Sequence, residues 1–163
     1  MPAVIWQRQN RIFISICAAG VGGGMEGIML IMAVDYGQKH TGIAFSDISG
    51  RITGRAFVID EQSERKMLER VIELIEENKP ERIVVGYPKN MNGSIGPRAE
   101  LSAAFAKQIE QRTGMQVKLW DERLTTVDAH RILAESGKNA KKRKKTVDAV
   151  AAALILEGYM GSL

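Results

Sequence analysis

The stretch Met29-Leu30-Ile31-Met32-Ala33-Val34-Asp35-Tyr36-Gly37 is apolar up to an aspartate and then turns through a glycine. Strand alternation puts Ile31, Ala33 and Asp35 on one face and Met32 and Val34 on the other. A first strand is predicted over Ile28–Val34, a second over Thr41–Ser46 and a third over Ile52–Ile59. Ser49-Gly50 turns between the last two, and connections this short imply an antiparallel meander. The period then lengthens. Met67, Leu68, Val71, Leu74 and Ile75 recur at helical spacing behind Ser63, a good N-cap, and Asn78-Lys79-Pro80 stops the run. Arg82–Gly86 reads as a short, buried, parallel strand. Pro97 suits the first position of a helix that points Leu101, Ala104, Phe105 and Ile109 inward and ends at Gly114. Gln116–Trp120 is the last strand, and helices over Thr125–Glu135 and Thr146–Tyr159 finish the chain. The order β-β-β-α-β-α-β-α-α predicts an α/β protein: a mixed five-stranded sheet, antiparallel meander plus parallel strands, flanked by helices.

A carboxylate at the mouth of a buried strand, as at Asp35, is costly to desolvate unless a cation compensates it. Two further acids have similar settings. Glu122 follows the last strand, and Asp148 opens the apolar run Val147 to Leu156. Each has an ordinary reading when taken alone: Asp35 as a turn-former before Gly37, Glu122 as a surface ion pair with Arg123, Asp148 as an acid in the first turn of a helix. Three carboxylates on rigid elements, far apart in sequence, together suggest a divalent-metal site that the fold assembles. Asp121 beside Glu122 is a possible further ligand, but neighbours on a strand point to opposite faces.

Composition narrows the metal. The chain has 163 residues, 45% hydrophobic and 26% charged, which suits one globular domain with a real core. Its only cysteine, Cys17, excludes a disulfide framework and a Cys-rich zinc site, and His40 and His130 are too few and too scattered for a histidine-based one. Oxygen donors from carboxylates then point to Mg²⁺ or Mn²⁺. A net charge of +4 and a pI of about 9.3 permit a nucleic-acid partner without requiring one.

Several motifs resemble one family. They are Asp35-Tyr36-Gly37, the run Val85-Gly86-Tyr87-Pro88-Lys89-Asn90-Met91-Asn92-Gly93, Gly96-Pro97-Arg98-Ala99-Glu100, and Trp120-Asp121-Glu122-Arg123-Leu124-Thr125-Thr126. Lys141 to Lys144, and Asp148 with Ala151-Ala152, complete the pattern. In this order they resemble the bacterial YqgF family of pre-16S ribosomal RNA nucleases, also called Holliday-junction-resolvase-like proteins. The resemblance runs from Met29 to about Tyr159. It implies a ribonuclease H-like fold, phosphodiester hydrolysis, and Asp35, Glu122 and Asp148 as the metal-binding, catalytic acids. Two divalent ions roughly 4 Å apart can orient a water, stabilise the charge at phosphorus and stabilise the leaving oxygen.

Substrate contacts are expected around those acids. Lys89, Asn90, Asn92 and Arg98 lie in a polar loop after a strand end, and Arg123 adjoins Glu122. The ordinary readings are a connector held by Asn and Gly turn chemistry, and a salt bridge from Arg123 to a nearby acid. Lys141, Lys142, Arg143 and Lys144 belong to a run, Gly137–Lys145, that reads as a flexible basic arm for the nucleic-acid backbone, or otherwise as a solvated segment. No base-reading motif is visible. Precursor ribosomal RNA and structured DNA are both open as partners, and a monomer or weak homodimer is expected, in the cytoplasm and away from membranes.

Two rival classes remain. Asp-x-Gly followed by Thr41-Gly42 also resembles the phosphate loop of actin-like ATPases and sugar kinases, which bind nucleotide between two lobes, where this chain has only one. A non-catalytic module binding RNA or a transcription complex could carry the same acids. Residues 1–28 read as foreign to the domain, which is assigned to 29–163. Their apolar run Ile12–Ala19 is short for a secretory signal. Gly22-Gly23-Gly24 before Met25 is what a purine-rich ribosome-binding site would encode, so translation is expected to start at Met25 or Met29.

Overall fold

β1 (Ile31–Asp35) is apolar on both faces and takes the middle of the sheet. The computed structural model describes residues 29–124 and 140–163. In chain order the other elements are β2 (His40–Ser46), β3 (Thr53–Asp60), α1 (Glu64–Asn78), β4 (Arg82–Tyr87), α2 (Pro97–Thr113), β5 (Val117–Asp121), a 3₁₀ turn (Glu122–Leu124) and α3 (Ala140–Met160). The helix expected over Thr125–Glu135 and the segment 1–28 lie outside the described residues. The sheet order is β3-β2-β1-β4-β5. β1 pairs antiparallel with β2, and β2 with β3, while β1 and β4, and β4 and β5, run parallel. This is the mixed five-stranded sheet that the pattern of short turns and intervening helices predicted.

The alternation read from β1 sorts the two cores. Met32 and Val34 face α1 and α2, packing with Ile43, Phe45, Met67, Val71, Phe105 and Ile109. Ile31 and Ala33 face α3, with Ala44, Val84, Ala152, Ile155 and Leu156. Small side chains at 33, 44 and 152 let α3 lie close to the strands. Ser63 caps α1, its side chain accepting from the Lys66 N–H, and Lys79 ends the helix in the left-handed region at φ 49°.

Two expectations about the helices need correction. Leu101 and Ala104 do not point inward: α2 buries Ala99, Ser102, Phe105, Ala106 and Ile109 instead. Ser102 can occupy the stripe because its hydroxyl donates to the Arg98 carbonyl at 3.0 Å, leaving Leu101 39% exposed. The last helix starts at Ala140, not Thr146, so the backbone of Lys141 to Lys145 is helical rather than an arm. Gly137 to Asn139 lie outside the described residues.

Candidate active site

Strands β1, β4 and β5 run parallel, so their carboxyl ends open on one edge of the sheet, the usual place for a functional site in such a sheet. Asp35 closes β1 there, on the face that meets α3. Its register partner on β2 is Gly42. On the other side Val34 pairs with Val85, which brings Asp35 level with Gly86. The aspartate therefore stands between two residues without side chains.

Those glycines open two slots. A Cβ at Gly86 would lie 2.5 Å from Glu122 Oε1 and from Ile155 Cδ1. A Cβ at Gly42 would collide with the Asp148 carbonyl oxygen and press on Ala152. Glu122 and the α3 backbone at Asp148 thus approach the sheet through room that only glycine leaves. The sequence marked both glycines only as parts of strands or motifs, because the register that sets them beside Asp35 is not written in one dimension.

Electrostatics link the acids. The Asp35 pKa is raised from 3.8 to about 7, first by burial and then by the charges of Glu122 and Asp148; Arg98 opposes the shift. Burial also raises Glu122, again against Arg98. The charge of Asp121 adds to the rise at Glu122. Among the described residues no group of three His, Cys, Asp or Glu side chains is drawn together closely enough to form a metal cage as it stands. Glu122 and Asp148 act on Asp35 through their charge. Asp148 also escapes its ordinary reading. Because α3 begins at Ala140, Asp148 is beyond the first turn, where the helix dipole has its effect.

Asp121 acts on this cluster through its charge, which raises Glu122, while its own carboxylate is engaged elsewhere. Arg123 Nε donates to its Oδ1 at 3.0 Å and Nη2 to its Oδ2 at 2.7 Å, with Lys89 Nζ 3.6 Å away. The Arg123 hydrogen bonds, reinforced by both cations, hold its carboxyl down at about 2. The pairing expected as the ordinary reading of Arg123 is therefore present, and its partner is Asp121.

The Lys89–Gly96 loop is built largely by its own side chains. Asn90 Nδ2 donates to Ser94 Oγ at 2.8 Å, while Asn92 Oδ1 accepts from the Ser94 N–H at 2.9 Å and from its hydroxyl at 2.6 Å. Gly93 supplies the left-handed turn at φ 84°. These bonds from Asn90 and Asn92 are those of the connector reading. Arg98, just inside α2, is the expected residue that acts on the acids themselves. Lys141, Lys142, Arg143 and Lys144 occupy the first turns of α3, upstream of Asp148.

Beside the acids lies an open cleft of about 390 Å³ between the Gly37–His40 turn, Arg98, Leu101 and Asp148. Tyr36 forms part of its wall and stacks on Phe105 with ring centroids 4.1 Å apart. On the rim, His40 Nδ1 and Asp60 Oδ1 are hydrogen-bonded at 2.5 Å. Neither Leu101 nor His40 stood out in the sequence as a site residue.

The sequence model of the Holliday junction resolvase family RuvX matches residues 29–162. The chain belongs to this family. Its RuvX-family relatives include a protein of Listeria monocytogenes serotype 4b (strain CLIP80459), 46% identical over 134 residues, covering 81% of this chain and 97% of the relative. A Halothermothrix orenii protein is 44% identical over 132 residues, covering 81% of this chain and 94% of that one. Both are named "Putative pre-16S rRNA nuclease". Among solved structures, T. thermophilus RuvC in complex with a Holliday junction substrate matches with a TM-score of 0.55 at 14% identity, over 82% of this chain and 97% of that one. The fowlpox virus Holliday junction resolvase matches with a TM-score of 0.50 at 19% identity, over 83% and 100%. At these identities the likeness is one of fold, and it is the ribonuclease H-like fold of resolvases that the resemblance to the YqgF family implied.

Proposed function

We propose that this chain is a metal-dependent nuclease that hydrolyses phosphodiester bonds in the 5′-end maturation of precursor 16S ribosomal RNA. The observation that carries the reading is the electrostatic coupling of Glu122 and Asp148 to the half-buried Asp35, which stands at the sheet edge between Gly42 and Gly86. Membership of the RuvX family and the names of its relatives support the substrate class.

The donor set suits Mg²⁺ or Mn²⁺: carboxylate oxygens, partly desolvated, with a net negative field that Arg98 only partly offsets. Asp35, Glu122 and Asp148 would hold the ions. When bound, a pair of such ions lowers the pKa of water and stabilises negative charge at phosphorus. The chain's own residues do the rest. The Gly86 slot admits the Glu122 carboxylate to the sheet edge where Asp35 ends β1. Arg98 offers a permanent cation to a phosphate oxygen beside the acids. Asp121 keeps the Arg123 guanidinium fixed at the rim by a bidentate pair.

The family is one of Holliday junction resolvases, which favours a second reading, resolution of four-way DNA junctions. A direct comparison separates the two. With Mg²⁺ present, the chain is expected to cut precursor 16S ribosomal RNA near its mature 5′ end and to leave a four-way DNA junction intact. Symmetric nicking of the junction, without RNA cleavage, would replace the first reading by the second. Binding without cleavage of either would support a non-catalytic module.

A further inference from the structure

The cleft beside the acids does more than give access to them. We propose that it seats one unstacked nucleotide of the substrate strand, next to the bond being cut, with base and ribose inside the cleft and phosphate towards Arg98. This rests on the nuclease reading and adds a subsite to it.

The size and walls fit such an occupant. About 390 Å³ falls within the range of small-ligand sites, roughly 300–1,000 Å³. One wall is apolar and stiff. Tyr36 is 7% exposed and held by its stack on Phe105, while Leu101 offers aliphatic surface at 39% exposure. Leu101 is there because Ser102 took its place in the buried stripe of α2. The opposite rim is polar, with Gln38, Lys39 and His40. Asp60 fixes the His40 ring through Nδ1, which leaves Nε2 as the ring's remaining polar atom for a base edge or a ribose hydroxyl. Arg98 and Asp148 line the same cleft, which sets it beside the candidate metal site.

This placement sets a condition on the substrate. A base within a duplex has both faces covered by its neighbours, so one lying against Leu101 and Tyr36 must first leave the stack. Single-stranded or distorted nucleic acid meets that condition at least cost. The subsite recognises exposed base surface and tolerates base identity, in keeping with the absence of a base-reading motif.

The test measures binding in EDTA, where nothing is cut. Single-stranded RNA oligonucleotides spanning the 5′ end of precursor 16S ribosomal RNA each carry one abasic nucleotide, and the position is scanned along the strand. For the full chain, one position should stand out, its abasic form binding about tenfold more weakly, as loss of a base contact implies. In Leu101→Trp the indole fills the cleft, and the penalty at that position should vanish while the other positions keep theirs. His40→Ala, on the exposed rim, should reduce the same penalty and keeps the test open if Leu101→Trp does not fold. Equal penalties at every position in the unmodified chain would overturn the proposal, as would an undiminished penalty in either folded variant. A chain that cuts RNA with Mg²⁺ but shows no such position refutes the subsite alone. One that shows the position but never cuts refutes the nuclease reading alone.

Discussion

Asp35 is the residue on which the account turns, and its ionisation makes the first prediction. Its pKa is raised from 3.8 to about 7, so the folded state holds a proton that the unfolded state has released. Stability from this group is complete below about pH 4 and is lost as pH rises towards 7. In metal-free buffer, Asp35→Asn should match the unmodified chain in melting temperature at pH 4 and exceed it by a few degrees at pH 8. Thermal unfolding curves measured across that range check this, and a gap that does not widen with pH would contradict it. A second prediction concerns Gly86. In Gly86→Ala the new methyl group meets the ends of Glu122 and Ile155, so Mg²⁺ affinity should fall by about 10- to 100-fold, as when groups that orient metal ligands are lost. Calorimetric titration reads this directly, and unaltered affinity would mean that Glu122 is not held by that slot. The three acids were legible in the sequence because each sits at a strand end or on an apolar run. The glycines were not, since their meaning depends on strand register.

At the scale of elements, period-2 alternation in β1 and the helical stripe of α1 could be read directly, because burial on one face leaves a one-dimensional trace. α2 was only partly legible. A serine can enter a buried stripe when the backbone satisfies its hydroxyl, and periodicity alone then chooses the wrong neighbours. The start of α3 was missed for a different reason. Lys and Arg are good helix formers, so a basic run continues a helix as readily as it forms a loop. Changing Lys141, Lys142, Arg143 and Lys144 together to Gln should weaken nucleic-acid binding similarly across sequences. It should also flatten the salt dependence by up to about one unit of log–log slope per lost phosphate contact. Filter binding at several salt concentrations checks this, and an unchanged slope would make the segment a solvated helix end.

For the whole molecule, both cores lie within the described residues, and the family match begins at Met29. A chain starting at Met29 is expected to equal the full chain in melting temperature and activity, and a loss of several degrees would show that residues 1–28 belong to the fold. The fold could be anticipated because a mixed sheet with covering helices leaves a hydrophobic pattern in the sequence. The cleft could not, because its walls come from three elements that only the folded chain brings together. The claim that joins these scales is that Asp35, Glu122 and Asp148 act as one metal-dependent site. Cleavage of precursor 16S ribosomal RNA across a Mg²⁺ titration tests it most directly, with the unmodified chain beside Asp35→Asn and Asp148→Asn. The account predicts cleavage that saturates with Mg²⁺, stops with EDTA, and falls by at least about 1,000-fold in each variant while both remain folded, the scale expected when charge stabilisation at phosphorus is lost. Cleavage that persists in EDTA, or in folded Asp35→Asn, would contradict it.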